Sequence, residues 1–330
     1  MTVASAFSFS LQRVLLVCVG VFCCLNSAWS ASIRVGVATS PLSTPFYVAE
    51  KNGYFRDEGL DLVLIDYPSG DNALTQLLDN KVQFATASDL PIMFRSFGSV
   101  PFVVLATFAV TSNDAKLLTR KSTGIRSSKD LSGKRVALVR GTSGQYLLDL
   151  TLLAAGLDPR SVTVVDLDIH RLKQASTDPN IDAFSLFQPS ARNMLKQLGS
   201  DAVVIPIPRL FTLTFNLITL RDRAGISGGE QDKVLRALDR AMQYIKAEPS
   251  ASMRILQDRL KMEASDVAEL WPEYRFALTL NQSLIASLEA TARWAIQEEL
   301  VKAQSPPNYL DFIDVKSLKR VRPAQVTVVK

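Results

Sequence analysis

Residues 33–65 constrain the fold more than any other part of the chain. An apolar run at 33–37 is followed by Pro45-Phe46-Tyr47-Val48-Ala49-Glu50-Lys51-Asn52-Gly53-Tyr54-Phe55-Arg56-Asp57-Glu58-Gly59 and then by Leu60-Asp61-Leu62-Val63-Leu64-Ile65. Proline suits the first turn of a helix, where its missing N–H has no acceptor, and Gly53 suits the end, where left-handed backbone carries no Cβ penalty. An aromatic pair and a charged turn closed by Gly59 then lead into a second apolar run. The pattern predicts strand, helix, strand with short links: a βαβ start, hence a parallel sheet with helices on its faces.

The same alternation continues. Leu74, Leu77 and Leu78 share one face of a helix over 71–79, Asn80 suits its left-handed close, and 82–87 reads as a strand. A short helix at 91–97 stops at Gly98, and 101–110 is almost wholly apolar, as in a strand buried on both faces. A second set begins near Ala115: strands at 135–139, 162–167, 181–186 and 202–205, with a helix at 145–155 opened by Gly141-Thr142-Ser143-Gly144 and closed by Gly156. Residues 211–216 alternate and read as a return strand. From Gly228 onward the signals are helical, strongest over 284–301. Without a Pro/Ser-rich tether between the two sets, crossing strands at 101–110 and 211–220 are the expected connections.

The first thirty residues read as an export signal. Arg13 precedes an apolar run at 14–25, shorter than the roughly twenty residues that span a bilayer, and Ala28-Trp29-Ser30 supplies a small-residue cleavage pattern before Ala31. All three cysteines, Cys18, Cys23 and Cys24, lie inside it, and none follows the small residue that lipid-modified exported proteins place there. The mature chain is therefore expected to have no disulfide, no thiol nucleophile and no lipid anchor. It must rest on its core, and about 300 residues suffice for that, usually as two domains. An unanchored exported protein needs a second membrane to retain it, so a periplasm is the expected compartment. The formal net charge of +5 falls by one when Arg13 leaves. Charges are interspersed, with no basic stripe among aromatics, which argues against a nucleic-acid partner.

The order in residues 33–65 resembles the opening of solute-binding proteins that serve importers of nitrate, sulfonates, taurine and thiamine-precursor pyrimidines. Three further segments are similar to that family: Ser127-Ser128-Lys129-Asp130-Leu131-Ser132-Gly133-Lys134-Arg135-Val136-Ala137, Asn180-Ile181-Asp182-Ala183 and Pro307-Asn308-Tyr309-Leu310-Asp311-Phe312. The resemblance implies an α/β, two-lobed periplasmic-binding-protein fold of type II. It has two crossover strands, a ligand cleft between the lobes and a helical C-terminal segment. Lobe 1 is expected at 31–110 plus 211–330 and lobe 2 at 111–210. Where many relatives carry Trp-Glu-Pro, this chain has Phe187-Gln188-Pro189, which disfavours a ligand whose ammonium needed that acid.

The candidate ligand contacts follow strand ends, where open α/β sheets gather their sites. After the first strand come Ser40, Thr44, Phe46 and Tyr47, whose rings suit the cleft floor or the core. Ser88 and Asp89 suit either the ligand or a helix cap, and Thr107 lies in an expected crossing strand. Gly141, Thr142 and Ser143 open a helix whose free N–H groups and dipole favour an anion by about 0.3–1 kcal/mol, or simply cap it. Gln188 closes the set. No lysine follows Gly144, so this is not a nucleotide phosphate loop.

Catalytic signals are sparse. His170 is the chain's one histidine and forms no metal-ligand pattern with Asp166 and Asp168; no G-x-S-x-G or H-E-x-x-H motif occurs. A related fungal and plant group makes the thiamine pyrimidine with a histidine and a cysteine-rich motif, and this mature chain lacks the cysteines. The expectation is a monomeric, non-enzymatic binding protein without cofactor or metal. It would present a small anion (sulfonate, taurine or nitrate) to the membrane permease of an ABC importer. A thiamine-precursor pyrimidine is the alternative ligand; a pyrimidine-synthase-like enzyme and a ligand-sensing module stay open.

Overall fold

The computed structural model describes residues 32–99, 101–168, 171–224 and 229–329. The expected leader and His170 lie outside the described residues. The strands are β1 (Ile33–Ala38), β2 (Leu62–Tyr67), β3 (Phe84–Ser88), β4 (Phe102–Thr111), β5 (Ala115–Arg120), β6 (Arg135–Leu138), β7 (Thr163–Asp166), β8 (Ala183–Phe187), β9 (Ala202–Val204), β10 (Leu213–Leu220) and β11 (Arg275–Thr279). They form a six-stranded sheet, ordered β11-β4-β10-β3-β1-β2, and a five-stranded sheet, ordered β7-β6-β8-β5-β9.

The expected βαβ start is present. β1 runs parallel to both β2 and β3, and the helix Thr44–Lys51 between β1 and β2 ends just before Gly53, whose φ is +74°. Gly59, Asn80 and Gly156 also take left-handed backbone, each where the sequence pattern placed the end of a turn or helix. The five-stranded sheet repeats the logic, with β6 parallel to β7 and β8, while β5 runs antiparallel to β8 and β9.

Two features differ from the sequence reading. The apolar strands at 101–110 and 211–220 do not themselves bridge the sheets: β4 and β10 lie side by side, antiparallel, inside the six-stranded sheet. The chain crosses to the other sheet through residues 112–114, a polar triplet, and returns through 205–212, a mostly apolar segment broken by Pro206 and Pro208. The tail, read as helical, also contributes β11, which pairs with β4 at the sheet edge. Phe276, Leu278 and Leu280 alternate with exposed or half-buried Arg275, Ala277 and Thr279, a period-2 pattern too short to stand out among the helical segments around it.

Packing follows the apolar pattern. One cluster covers both faces of the six-stranded sheet, with Phe46 against Phe108 at 5.1 Å and Phe108 against Phe215 at 5.7 Å, both edge-on. Two smaller clusters cover the five-stranded sheet, one around Leu138, Leu148 and Leu152, the other around Phe184, Leu186 and Met194. The long tail helices Glu230–Ala247 and Gln282–Gln297 pack on the first cluster through Leu235, Leu238, Leu284 and Leu288. Among the described residues no helix is long and apolar enough to cross a membrane.

Candidate functional site

The sequence candidates divide into two groups. Thr44, Phe46 and Tyr47 are fully or almost fully buried in the core of the six-stranded sheet. Thr44 Oγ1 donates to the Pro41 carbonyl and Tyr47 OH to that of Ala38, and burial pushes the Tyr47 phenol up to about 12. Thr107 is also buried and donates to Asn216 Oδ1 at 2.6 Å, a side-chain tie between β4 and β10. Ser40 caps the turn Pro41–Ser43 by accepting the Leu42 N–H. These groups are occupied by the fold, and four of the five are sealed from solvent.

The other group converges where the two sheets meet. Ser88 ends β3 and starts the helix Asp89–Ser96, yet its hydroxyl makes no capping bond. Gly141 (φ +70°) opens the loop into the helix Ser143–Ala154, and a Cβ on it would lie 3.5 Å from the ring of Phe94, on that first helix. The loop of one sheet thus rests against the strand-end helix of the other. Thr142 Oγ1 donates to the Val139 carbonyl, and the Gly141 N–H is taken by Gln145 Oε1. Ser143 is the first residue of the helix and is buried, and the N-cap residue Thr142 makes no side-chain capping bond. Gly144 is required by contact: Ser185 Oγ donates to its carbonyl at 2.6 Å, and a Cβ there would sit 2.5 Å from the Ser185 main-chain carbonyl oxygen.

Gln188 follows β8 and is joined to Pro189 by a cis peptide. Its N–H donates to the Asp114 carbonyl at 3.2 Å, which brings the end of β8 against the link 112–114. Its Oε1 is buried without a hydrogen-bond partner.

Sequence reasoning missed several groups here. Tyr146 packs against Phe211 of the return link at 5.2 Å and against Trp294 of the helix Gln282–Gln297 at 5.0 Å, forming an aromatic wall. Trp294 Nε1 donates to Asp149 Oδ2 at 2.8 Å. Asp89, by contrast, was a sequence candidate; it is fully buried, accepting from the Leu90 N–H and the Ser287 hydroxyl, and burial pushes its carboxyl up to about 7. Asp114 rises to about 7 as well, through burial first and the Asp89 charge second, with Lys116 opposing. The only hint in sequence was Ser112-Asn113-Asp114, a polar triplet breaking the apolar run between β4 and β5.

The comparisons with known proteins give the family and the fold. The NMT1/THI5-like family model matches residues 40–252, more than half of the chain. The chain belongs to the NMT1/THI5-like family. Against curated relatives it is 26% identical over 163 residues to a Bacillus subtilis protein assigned as an aliphatic sulfonates-binding protein, a match spanning 48% of each chain. The chain thus spans about half the length of that relative. It is also 26% identical over 229 residues to the 4-amino-5-hydroxymethyl-2-methylpyrimidine phosphate synthase of Legionella pneumophila, covering 66% of this chain and 70% of that one. Among solved structures, the periplasmic aliphatic sulphonate binding protein SsuA from Escherichia coli superposes with a TM-score of 0.74 at 19% identity, covering 86% of this chain and 97% of that one. At that identity the likeness speaks for the fold: this NMT1/THI5-like chain has the type II periplasmic-binding-protein architecture.

Proposed function

We propose that this chain is an exported solute-binding protein that closes two lobes on a small molecule and presents it to the permease of an ABC importer. Lobe 1 is built on the six-stranded sheet and lobe 2 on the five-stranded sheet, with residues 112–114 and 205–212 as the two hinges. The observation that supports the reading is the meeting of strand ends from the two sheets, Gly141 beside Phe94 and the Gln188 N–H on the Asp114 carbonyl, with Ser88, Ser143 and Gln188 in these segments. They follow three different strands of two sheets; Ser88 makes no capping bond and Gln188 Oε1 is buried without a donor. Polar groups left half-buried in this way cost stability unless a ligand satisfies them. Closure then follows from linkage, because a solute touching both lobes binds the closed state better and shifts the population toward it.

The N-terminus of the helix Ser143–Ala154 supports an anionic end on the solute, of the sulfonate, carboxylate or nitrate kind. The relatives named for sulfonate binding favour the same class. A periplasmic location rests on the leader pattern and on the fold shared with periplasmic proteins.

The synthase relative keeps an enzymatic reading in play. Thermal shift of the mature protein against sulfonates, nitrate, carboxylates and pyrimidines decides between the two. At about a hundred times its dissociation constant a true solute adds about 2.7 kcal/mol of stability. No shift with any of them, together with turnover of a pyrimidine precursor, overturns the binding-protein reading.

A further inference from the structure

Away from the junction, a groove opens along the edge strand β11. The tail covers only the far end of that strand. Leu280 N–H donates to the Gln325 carbonyl at 2.9 Å and Thr327 N–H to the Leu280 carbonyl at 2.8 Å, while the chain just before them turns away through the short helical turn Pro323–Gln325. Between β11, the helix Glu230–Ala247 and this turn lies a cavity of about 530 Å³, within the range of sites that hold small organic molecules.

Its walls are apolar. Met242 and Ile245 of the helix and Leu278 of the strand line it and are buried. Trp271 and Phe276, 5.5 Å apart at their ring centres, line it too but are only half-buried, and Tyr274 stands 6.3 Å from Phe276. Ring faces left open beside an adaptable methionine suit a flat apolar body.

The rim sets the charge of what can bind. Its charged residues are Asp239, Lys246 and Arg322. Asp239 is already held, accepting from Arg322 Nε at 2.6 Å and from Gln243 Nε2 at 2.9 Å. Lys246, two turns further along the same helix face, is exposed and forms no ion pair among the described residues. The rim thus carries one net positive charge, which repels an ammonium and attracts a monoanion. An added peptide strand would run into the tail where it pairs with Leu280, so the shape favours a compact molecule.

We propose that this groove binds an aromatic monocarboxylate, with its ring against Trp271, Phe276 and Met242 and its carboxylate on Lys246. The site is separate from the junction of the two sheets and does not rest on the binding-protein reading.

NMR of the indole N–H groups tests this on nitrogen-labelled protein, because Trp271 lines the groove whereas Trp294 stands at the junction. Titrated with cinnamate, the Trp271 signal, assigned from Trp271→Phe, shifts saturably with a dissociation constant of about 1 mM or tighter. The Trp294 signal stays in place. The neutral isostere cinnamamide binds about tenfold more weakly or worse, Lys246→Glu weakens cinnamate as much, and Lys246→Arg retains it. Both Lys246 variants should melt as the wild type does, since the residue is exposed. If both indole signals move in the wild type, Lys246→Glu must remove the Trp271 response alone. A Trp271 signal that does not move, or a shift confined to Trp294, overturns the site. Cinnamamide binding as tightly as cinnamate, or cinnamate binding unchanged in Lys246→Glu, overturns the anionic class. Either failure leaves solute binding at the junction untouched.

Discussion

Arg192 and Asp266 pair across the two sheets. Arg192 sits on the helix Ser190–Leu198, which follows β8. Asp266 sits on the helix Ala264–Leu270, whose Val267 and Leu270 belong to the core of the six-stranded sheet. Lys196 adds a second bond to Asp266, and Arg192 reaches Glu269 at 2.9 Å. Both members of the central pair are largely shielded from water, and the Arg192 hydrogen bond leads in holding the Asp266 carboxyl down to about 2. Together with Trp294 and Asp149 on other elements, the pair ties one sheet to the other at two places.

Arg192→Ala should therefore loosen the two lobes. A charge-assisted bond of this kind is worth about 1.5–3 kcal/mol, which is roughly ten- to a hundredfold in the ratio of closed to open molecules. Small-angle scattering should show a larger radius of gyration for the ligand-free variant, and solute affinity should weaken in step. An unchanged scattering profile would mean that the pair does not hold the lobes.

Gly144→Ala should destabilise the five-stranded sheet. The new methyl would meet the Ser185 carbonyl at 2.5 Å, and that oxygen belongs to strand β8 and cannot swing aside. Overpacking against backbone costs about 1–3 kcal/mol. Urea titration should move to a lower midpoint with an unchanged slope; a wild-type midpoint would show that the loop and strand separate easily.

Phe46→Ala should cost about 3–5 kcal/mol, as expected for an aromatic side chain removed from a packed core. Phe46→Leu, which refills most of the space, should bind solute as the wild type does. Normal stability combined with lost affinity would return Phe46 to the cleft.

The acids at the junction set a pH dependence. Asp89 and Asp114 stand near 7 and Asp149 near 6, with burial the leading cause in each, so all three hold protons in the folded protein that they release in the unfolded chain. Stability from these groups is full below the unfolded value near 4 and is lost as pH rises through the folded values, between about pH 4 and pH 7. The ligand-free protein should melt higher at pH 5 than at pH 7.5, and Asp114→Asn should shrink the difference. Because Asp89 and Asp114 interact, the loss belongs to the pair. A melting temperature that rises steadily from pH 5 to pH 7.5 would contradict the burial of these acids.

The contrast between legible and hidden features has a physical basis. Short apolar runs punctuated by Gly53, Gly59, Asn80 and Gly156 carry local information, since left-handed turns and strand periods are decided within a few residues. Phe46 and Tyr47 could not be assigned to core or cleft, because an aromatic residue one turn into a helix after a strand suits either, and only the packing of Phe108 and Phe215 decides. Asp114, Tyr146, Phe211 and Trp294 come from four distant segments and share no motif; their proximity exists only once the two links cross. Edge strand β11 was hidden for a related reason, since its alternation is only five residues long and its place as a strand is fixed by pairing with the distant β4.

Native mass spectrometry of the protein purified from cells reads out whether the junction of the two sheets holds a small solute. The prediction is a mature chain carrying a noncovalent adduct of metabolite mass. That adduct should be retained by Phe46→Leu and lost when Gln188→Ala is combined with Ser143→Ala. A bare mature mass in the wild type, unchanged after exposure to sulfonates, aminosulfonates, nitrate and pyrimidines, would contradict it.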